Sequence, residues 1–356
     1  MQDAVNRECL AVRENVGLLD ASTLGKIDIK GPDSASFLNR IYTNGWTRLD
    51  IGRCRYGFML GEDGMILDDG VTARIAEDHF LMHTTTSGAP TVMSWLERWL
   101  QTEWPDLQVY LTSVTEHWAT LSLNGPYSRR VMDKVCDGID LSMDKFPFMS
   151  VKTGTVAGVP ARIFRISFAG ELSFEINVNA NYGFQVWKSV MEAGEEFGIM
   201  PYGTEAMHVL RAEKGYVIVG QDTDGSNTPV DIGASKMLST RKDFLGKRSL
   251  SRPEMVQKDR KQLIGLLSKN REDMLAEGGQ IIQDLSKAFP IPMLGHVTSS
   301  YFSNKLECPI ALALIHAGRA RLGDEVLVYM ADRSPIKAII VDPVFFDPNG
   351  ERQNVE

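Results

Sequence analysis

The chain has 356 residues, 43% hydrophobic and 24% charged, enough apolar material for two or three packed domains. Its net charge of −8 argues against a surface built to neutralise nucleic-acid phosphates, and no apolar run reaches bilayer-spanning length. Four scattered cysteines without a C-x-x-C pair, and a start (MQDAVNRECL) without a signal-peptide pattern, suit a reducing cytoplasm and offer no metal site.

Residues 3–15 have helical spacing, with Val5, Leu10 and Val12 near one face. Gly25 to Lys30 alternates as a strand, Gly31-Pro32 breaks it, and Asp33 is placed to cap a helix through about Tyr42, with Phe37, Leu38 and Ile41 as its buried stripe. The unit recurs: Trp118 to Leu123 alternates, Gly125-Pro126 breaks, and YSRRVMDKV follows as a helix. Two such units about a hundred residues apart suggest duplicated α/β halves.

Between them, Met59 to Arg74 reads as a β-hairpin with its tip at Glu62-Asp63-Gly64. Alternation after the tip puts Met65, Leu67 and Asp69 on one face and Ile66 and Asp68 on the other, so Asp69 is expected to point inward. A buried carboxylate is costly unless paired or bound. It either accepts backbone N–H bonds at a strand end or serves a site. A strand at His79–Thr85 and a helix opened by Pro90 follow; His79 and His83 do not converge on a metal from a strand.

Gly158 to Val178 reads as a second hairpin, with helices over Tyr182–Phe197 and from Thr204 to Lys214 beyond it. Ile218 to Val230 is polar and turn-rich, a loop of the length that usually carries function. After a charged linker, six short runs (LIGLL, GGQII, LGHVTSS, IALALIH, DEVLVYM, IKAIIV) predict a barrel or sandwich. There is no G-x-G-x-x-G after a strand, no Walker loop, no G-x-S-x-G and no H-E-x-x-H.

Five ordered motifs, GEDGMILDDGV, FAGELSFEI, LRAEKG…VGQDTDGSNTPVD, KDFLGKRSL and GHVTSSYFS…IALALI, resemble the folate-binding aminomethyltransferase family, the fold of the glycine-cleavage T-protein. LLDASTLGKIDIKGPD, FLNRIYTN, MHVLRAEKGYVIVGQDTDG and VFFDPNGERQN are more similar to the C-terminal part of the alpha subunit of heterotetrameric sarcosine oxidases. The resemblance implies an α+β cloverleaf: two intertwined α/β domains with antiparallel sheets and a C-terminal β-barrel. The expected boundaries are 1–52 with 140–225, 53–139 with 226–255, and 256–356. It also implies that a dinucleotide-binding half is missing from this chain, through excision or a split gene.

Carried over residue by residue, the family's essential aspartate falls on Asp69, beside the folate amine nitrogens, and its pterin-gripping glutamate on Glu175. A carboxylate suits the guanidine-like edge of a pterin because it accepts two parallel N–H bonds. The implied folate-binding set further includes Tyr56, Phe168 (a tyrosine in the family), Glu171, Thr85, Thr86, Leu24 and Arg211. Glu171 reads equally as a strand-end turn residue, and Arg211 equally as a helix arginine paired with neighbouring acids.

The function so implied is capture of a one-carbon unit from an N-methyl amine as 5,10-methylenetetrahydrofolate. Tetrahydrofolate is the cofactor, no flavin or NAD is expected on this chain, and a flavin-containing beta subunit is the expected partner. The alternatives are a free-standing folate-dependent methyl- or aminomethyltransferase and a non-catalytic folate-binding assembly module. KDFLGK lacks the cysteine of the K-G-C-Y-x-G-Q motif that marks the iron–sulfur-related modules of the superfamily.

Overall fold

The computed structural model describes residues 2–286, 290–330 and 333–355. Within them, strands form a seven-stranded sheet, a five-stranded sheet and a closed six-stranded barrel. All six sequence-predicted C-terminal runs become barrel strands, from Lys261–Ser268 to Arg333–Val341. Their inward residues, among them Ile264, Leu266, Val297, Ala313, Val328 and Ile340, fill the barrel and leave no room for a channel. No helix among the described residues is long and apolar enough to cross a membrane.

The five-stranded sheet runs Cys54–Leu60, Ile66–Ala76, His79–Thr84, Gly25–Lys30, Tyr110–Ser113, antiparallel throughout. The Gly61–Met65 turn closes its first hairpin, with Gly64 at φ +89. The helices Ser34–Ile41 and Ala89–Thr102 cover one face, where Phe37, Leu38, Val92 and Leu96 meet Ile27, Ile29, Phe80 and Met82. Asp33 does not cap its helix as expected; its carboxylate instead accepts the Gln108 N–H at 2.9 Å, joining the helix start to a distant loop.

The seven-stranded sheet is centred on Trp118–Asn124, Ser173–Asn179 and Val159–Arg165. Its outer face carries Leu121, Leu123, Phe174, Ile176 and Ile163 against the helices Ser128–Val135 and Gly183–Gly194. Pairing divides the chain differently from the expected domain boundaries. Gly25–Lys30 joins the five-stranded sheet, because its partners are His79–Thr84 and Tyr110–Ser113. Trp118–Asn124 joins the seven-stranded sheet, between Gly17–Asp20 and Ser173–Asn179.

The uncovered faces of the two sheets meet. Cys54, Val71, Ala73, Ile75 and Leu81 of the smaller sheet pack on Val151, Phe164 and Ile166 of the larger. This interface positions the candidate site.

Candidate functional site

Period-2 alternation along Ile66–Ala76 places Asp69 on the same side as Val71, Ala73 and Ile75, the side facing the larger sheet. Tyr56, opposite Val71 in register, donates its hydroxyl to Asp69 Oδ2. Part of Asp69 stays open to solvent while protein encloses its carboxyl. Burial pushes that carboxyl up to about 7, the Tyr56 hydrogen bond opposes the rise, and the neighbouring Asp68 charge adds to it. Such a group can take up or return a proton near neutral pH.

Asp68 corrects the expectation that Asp69 is the inward member of the pair. Asp68 is 1% exposed and therefore the more deeply buried, because helices cover that face of the sheet as well. Its Oδ2 accepts the Thr85 N–H at 3.2 Å, its Oδ1 has no partner among the described residues, and burial raises its carboxyl. Asp69, on the side facing the larger sheet, is the less deeply buried residue of the pair.

Glu175 lies on the larger sheet, in register with Phe164 on one side and Ser122 on the other. Phe164 packs into the inter-sheet cluster, so Glu175 projects from the same face toward the smaller sheet. It is 8% exposed, and no described residue gives its carboxyl a hydrogen bond. Burial pushes it up to about 7, with Lys26 pulling it down. A buried carboxyl without a donor is expensive and usually marks a ligand position or an ordered water.

Beside it, Asn177 accepts the Thr120 hydroxyl at 2.6 Å and reaches His83 Nε2 at 3.5 Å across the interface. His83 Nδ1 lies 3.1 Å from the Val71 carbonyl, and its ring meets Phe164 edge-on at 5.1 Å. Burial lowers His83 to about 4, so it is neutral and ties the sheets together. Lys26 stands opposite His83 in register and is 0% exposed. Sequence reasoning missed Lys26, His83 and Asn177. In GKIDIK the lysine reads as the solvent side of an alternating strand, and only the second sheet makes that side interior.

Three expected contacts gather where two inner strands of the smaller sheet end, at the Gly25–Thr84 pair. The Thr23 and Thr86 hydroxyls are 3.3 Å apart, bringing the turn that carries Leu24 against the loop that carries Thr85 and Thr86. Thr85 Oγ1 accepts the Gly88 N–H, so its hydroxyl shapes that loop. Phe168 is half-exposed and stacks on Tyr216 at 6.1 Å.

Two expected contacts are engaged elsewhere. Glu171 is fully buried between Arg13 Nη1 at 2.8 Å and Arg352 Nε at 2.7 Å. Arg211 is fully buried against Asp222, and also donates to the Tyr216 carbonyl at 3.0 Å and to Ser299 Oγ at 2.7 Å. Arg211 thereby clips the 218–225 loop to the barrel. Glu171 therefore sits in a buried ion junction rather than in a strand-end turn, and Arg211 is paired with an acid as its structural alternative expects, with its Nε left without a partner among the described residues.

The family model described as GCVT N-terminal domain matches residues 1–242, and the Glycine cleavage T-protein C-terminal barrel domain matches residues 261–347. The chain is 54% identical over 357 residues to sarcosine oxidase subunit alpha of Corynebacterium sp. (strain P-1), covering 99% of this chain and 37% of that subunit. It is 43% identical to sarcosine oxidase subunit alpha of Rhizobium meliloti (strain 1021), covering 99% of this chain and 36% of that subunit. It is 30% identical to the aminomethyltransferase of Alkaliphilus metalliredigens (strain QYMF), covering 95% of this chain and 88% of that enzyme. The fold matches the glycine cleavage system aminomethyltransferase T from Bartonella henselae with a TM-score of 0.83 and 23% identity, over 96% of this chain and 89% of that one. The chain thus spans little more than a third of the sarcosine oxidase alpha subunits, and most of the aminomethyltransferases, that it resembles.

Proposed function

The chain belongs to the glycine-cleavage T-protein family, and on that premise we propose that it binds tetrahydrofolate between its two sheets and delivers a one-carbon unit to it. The observation that carries this reading is Glu175, a buried carboxylate that no described residue gives a hydrogen bond, on the face turned to the other sheet. The pyrimidine edge of a pterin supplies the adjacent N–H groups such a carboxylate lacks, and their hydrogen bonds would be charge-assisted. Tetrahydrofolate itself supplies the nucleophilic nitrogens that accept the carbon.

Asp69 is the proton-handling residue in this scheme. Forming 5,10-methylenetetrahydrofolate from formaldehyde joins one carbon to two nitrogens and releases water, so protons must leave nitrogen. Asp69, raised to about 7 and oriented by the Tyr56 hydroxyl, can take up one of them. The likeness to sarcosine oxidase alpha subunits supports an N-methyl amine as the carbon source, oxidised by a flavin-containing partner. Holding the carbon beside its acceptor replaces a bimolecular encounter by proximity. A second reading is an aminomethyltransferase working as a lone chain, supported by the coverage of nearly the whole Alkaliphilus enzyme.

The test supplies tetrahydrofolate and an amine-oxidising subunit that releases formaldehyde, then measures methylenetetrahydrofolate against free formaldehyde. Capture by the chain should rise with pH through about 7 and level off above it, as Asp69 ionises. Asp69→Asn should slow it by roughly a hundred- to ten-thousandfold, the range of a general base. An Asp69→Asn chain that captures carbon at the original rate would remove Asp69 from the mechanism.

A further inference from the structure

The fully buried lysine of the strand Gly25–Lys30 has no evident reason to be there. Alternation puts Lys26 and Asp28 on the side facing the larger sheet, with Ile27 and Ile29 on the helix-covered side. A lysine so enclosed loses its hydration, and fixed dipoles must replace it. The Lys26 Nζ donates to the carbonyls of Ser22 and Leu24, each at 2.9 Å. Both acceptors lie in the turn that carries Leu24, and no described carboxylate comes within ion-pairing distance of the ammonium. Lys26 stands beside His83 in register, His83 meets Asn177 of the larger sheet at 3.5 Å, and Glu175 lies two residues from Asn177 on the same strand face, also buried and also without an ion pair among the described residues.

We infer that Lys26 is the positioning residue for Glu175: clamped by two carbonyls of one turn, its ammonium keeps that carboxylate ionised and aimed at a ligand's N–H edge without neutralising it by contact. A direct salt bridge would occupy the acceptor atoms the ligand needs. A charge held one step away favours the ionised form and leaves those atoms free. The inference rests on the reading of Glu175 as the ligand's acceptor.

Lys26 heads the electrostatic influences on Glu175, and Glu175 heads those that hold the proton on Lys26. Burial lowers the ammonium to about 8, with Glu175, Glu116 and Asp20 opposing the fall. Of the other titratable groups facing Glu175, Cys54 and Tyr202 are raised by burial and stay neutral across this range. His83 is lowered to about 4 and is neutral too. Between about 7 and 8, then, a charged lysine faces an ionised glutamate.

The experiment titrates Glu175 directly, by carboxyl-carbon NMR of glutamate-labelled chain, the resonance being identified by its loss in Glu175→Gln. Lys26→Gln removes the charge yet keeps a donor for the turn, Lys26→Met removes both, and Lys26→Arg keeps the charge. Wild type and Lys26→Arg should titrate near pH 7, and the neutral variants higher by about one unit. Tetrahydrofolate affinity, measured by calorimetry, should fall roughly tenfold in Lys26→Gln at neutral pH and recover about a unit higher. An unmoved Glu175 midpoint in both neutral variants would overturn the inference. So would an affinity loss equal at all pH values, which would leave Lys26 only a brace for the turn. If the titration shifts as expected while wild type binds no tetrahydrofolate, the coupling stands and the folate reading fails.

Discussion

At the scale of single residues, the chain holds two carboxylates in their less favourable form where it packs its sheets together. Glu175 is raised from 4.5 to about 7 by burial, so its ionised form costs stability in the folded chain. Because the folded value is the higher, its contribution to stability is fully present below the unfolded value and is lost as pH rises through the folded one. Glu175→Gln mimics the protonated acid and should relieve that cost. Urea unfolding should find the variant's gain larger near pH 8 than near pH 5 by on the order of 2–3 kcal/mol. A gain that is the same at both would contradict the burial argument. Asp69 is raised the same way, with the Tyr56 hydroxyl and a backbone N–H opposing the rise. Stability lost at both positions is what a site pre-arranged for a ligand is expected to show.

At the scale of elements, the two strand–Gly-Pro–helix units are the part of the fold most legible in the sequence. Gly31 and Gly125 have φ of +123 and +134, and a Cβ at either would sit within 2.5 Å of a backbone oxygen, of Gln108 and Asn15 respectively. The requirement is local, so a local signal reports it. Gly125→Ala should therefore destabilise the chain by more than ~1 kcal/mol, read as a lower urea midpoint; an unchanged midpoint would mean the strand–helix turn relaxes freely. The six barrel runs were legible for the same reason, since alternation and turns are short-range. Sheet membership was not: Gly25–Lys30 and Trp118–Asn124 read alike, and only long-range pairing sends them to different sheets. Nor does a strand's composition say whether its polar side meets water or a second sheet, which hid Lys26. Glu171 and Arg211 show the matching limit, because a buried charge serves equally well in a site or in a clamp.

At the scale of the whole molecule, one ionic junction joins the first helix, the loop at 169–171, the late helix, the barrel and the tail. Arg13, 1% exposed, binds Glu171 at 2.8 Å and Glu213 at 2.6 Å. Arg352 holds the other side of Glu171, and Ser303 of the barrel donates to Glu213 at 2.6 Å. Arg13→Met should strand Glu213 as a buried charge and cost about 3–5 kcal/mol, seen as a fall in the unfolding midpoint. A near-neutral result would mean that water enters the junction. The inter-sheet site needs this assembly, since Glu175 leaves the same 166–172 loop that the junction anchors. If Glu175 accepts the ligand's N–H edge in that space, calorimetric titration of the wild-type and Glu175→Gln chains with tetrahydrofolate above pH 7 reads it out. One site is expected in the wild type and an affinity ten- to a hundredfold lower in the variant, the loss of a charge-assisted hydrogen bond of roughly 1.5–3 kcal/mol. Equal dissociation constants, or no binding by the wild-type chain, would contradict it.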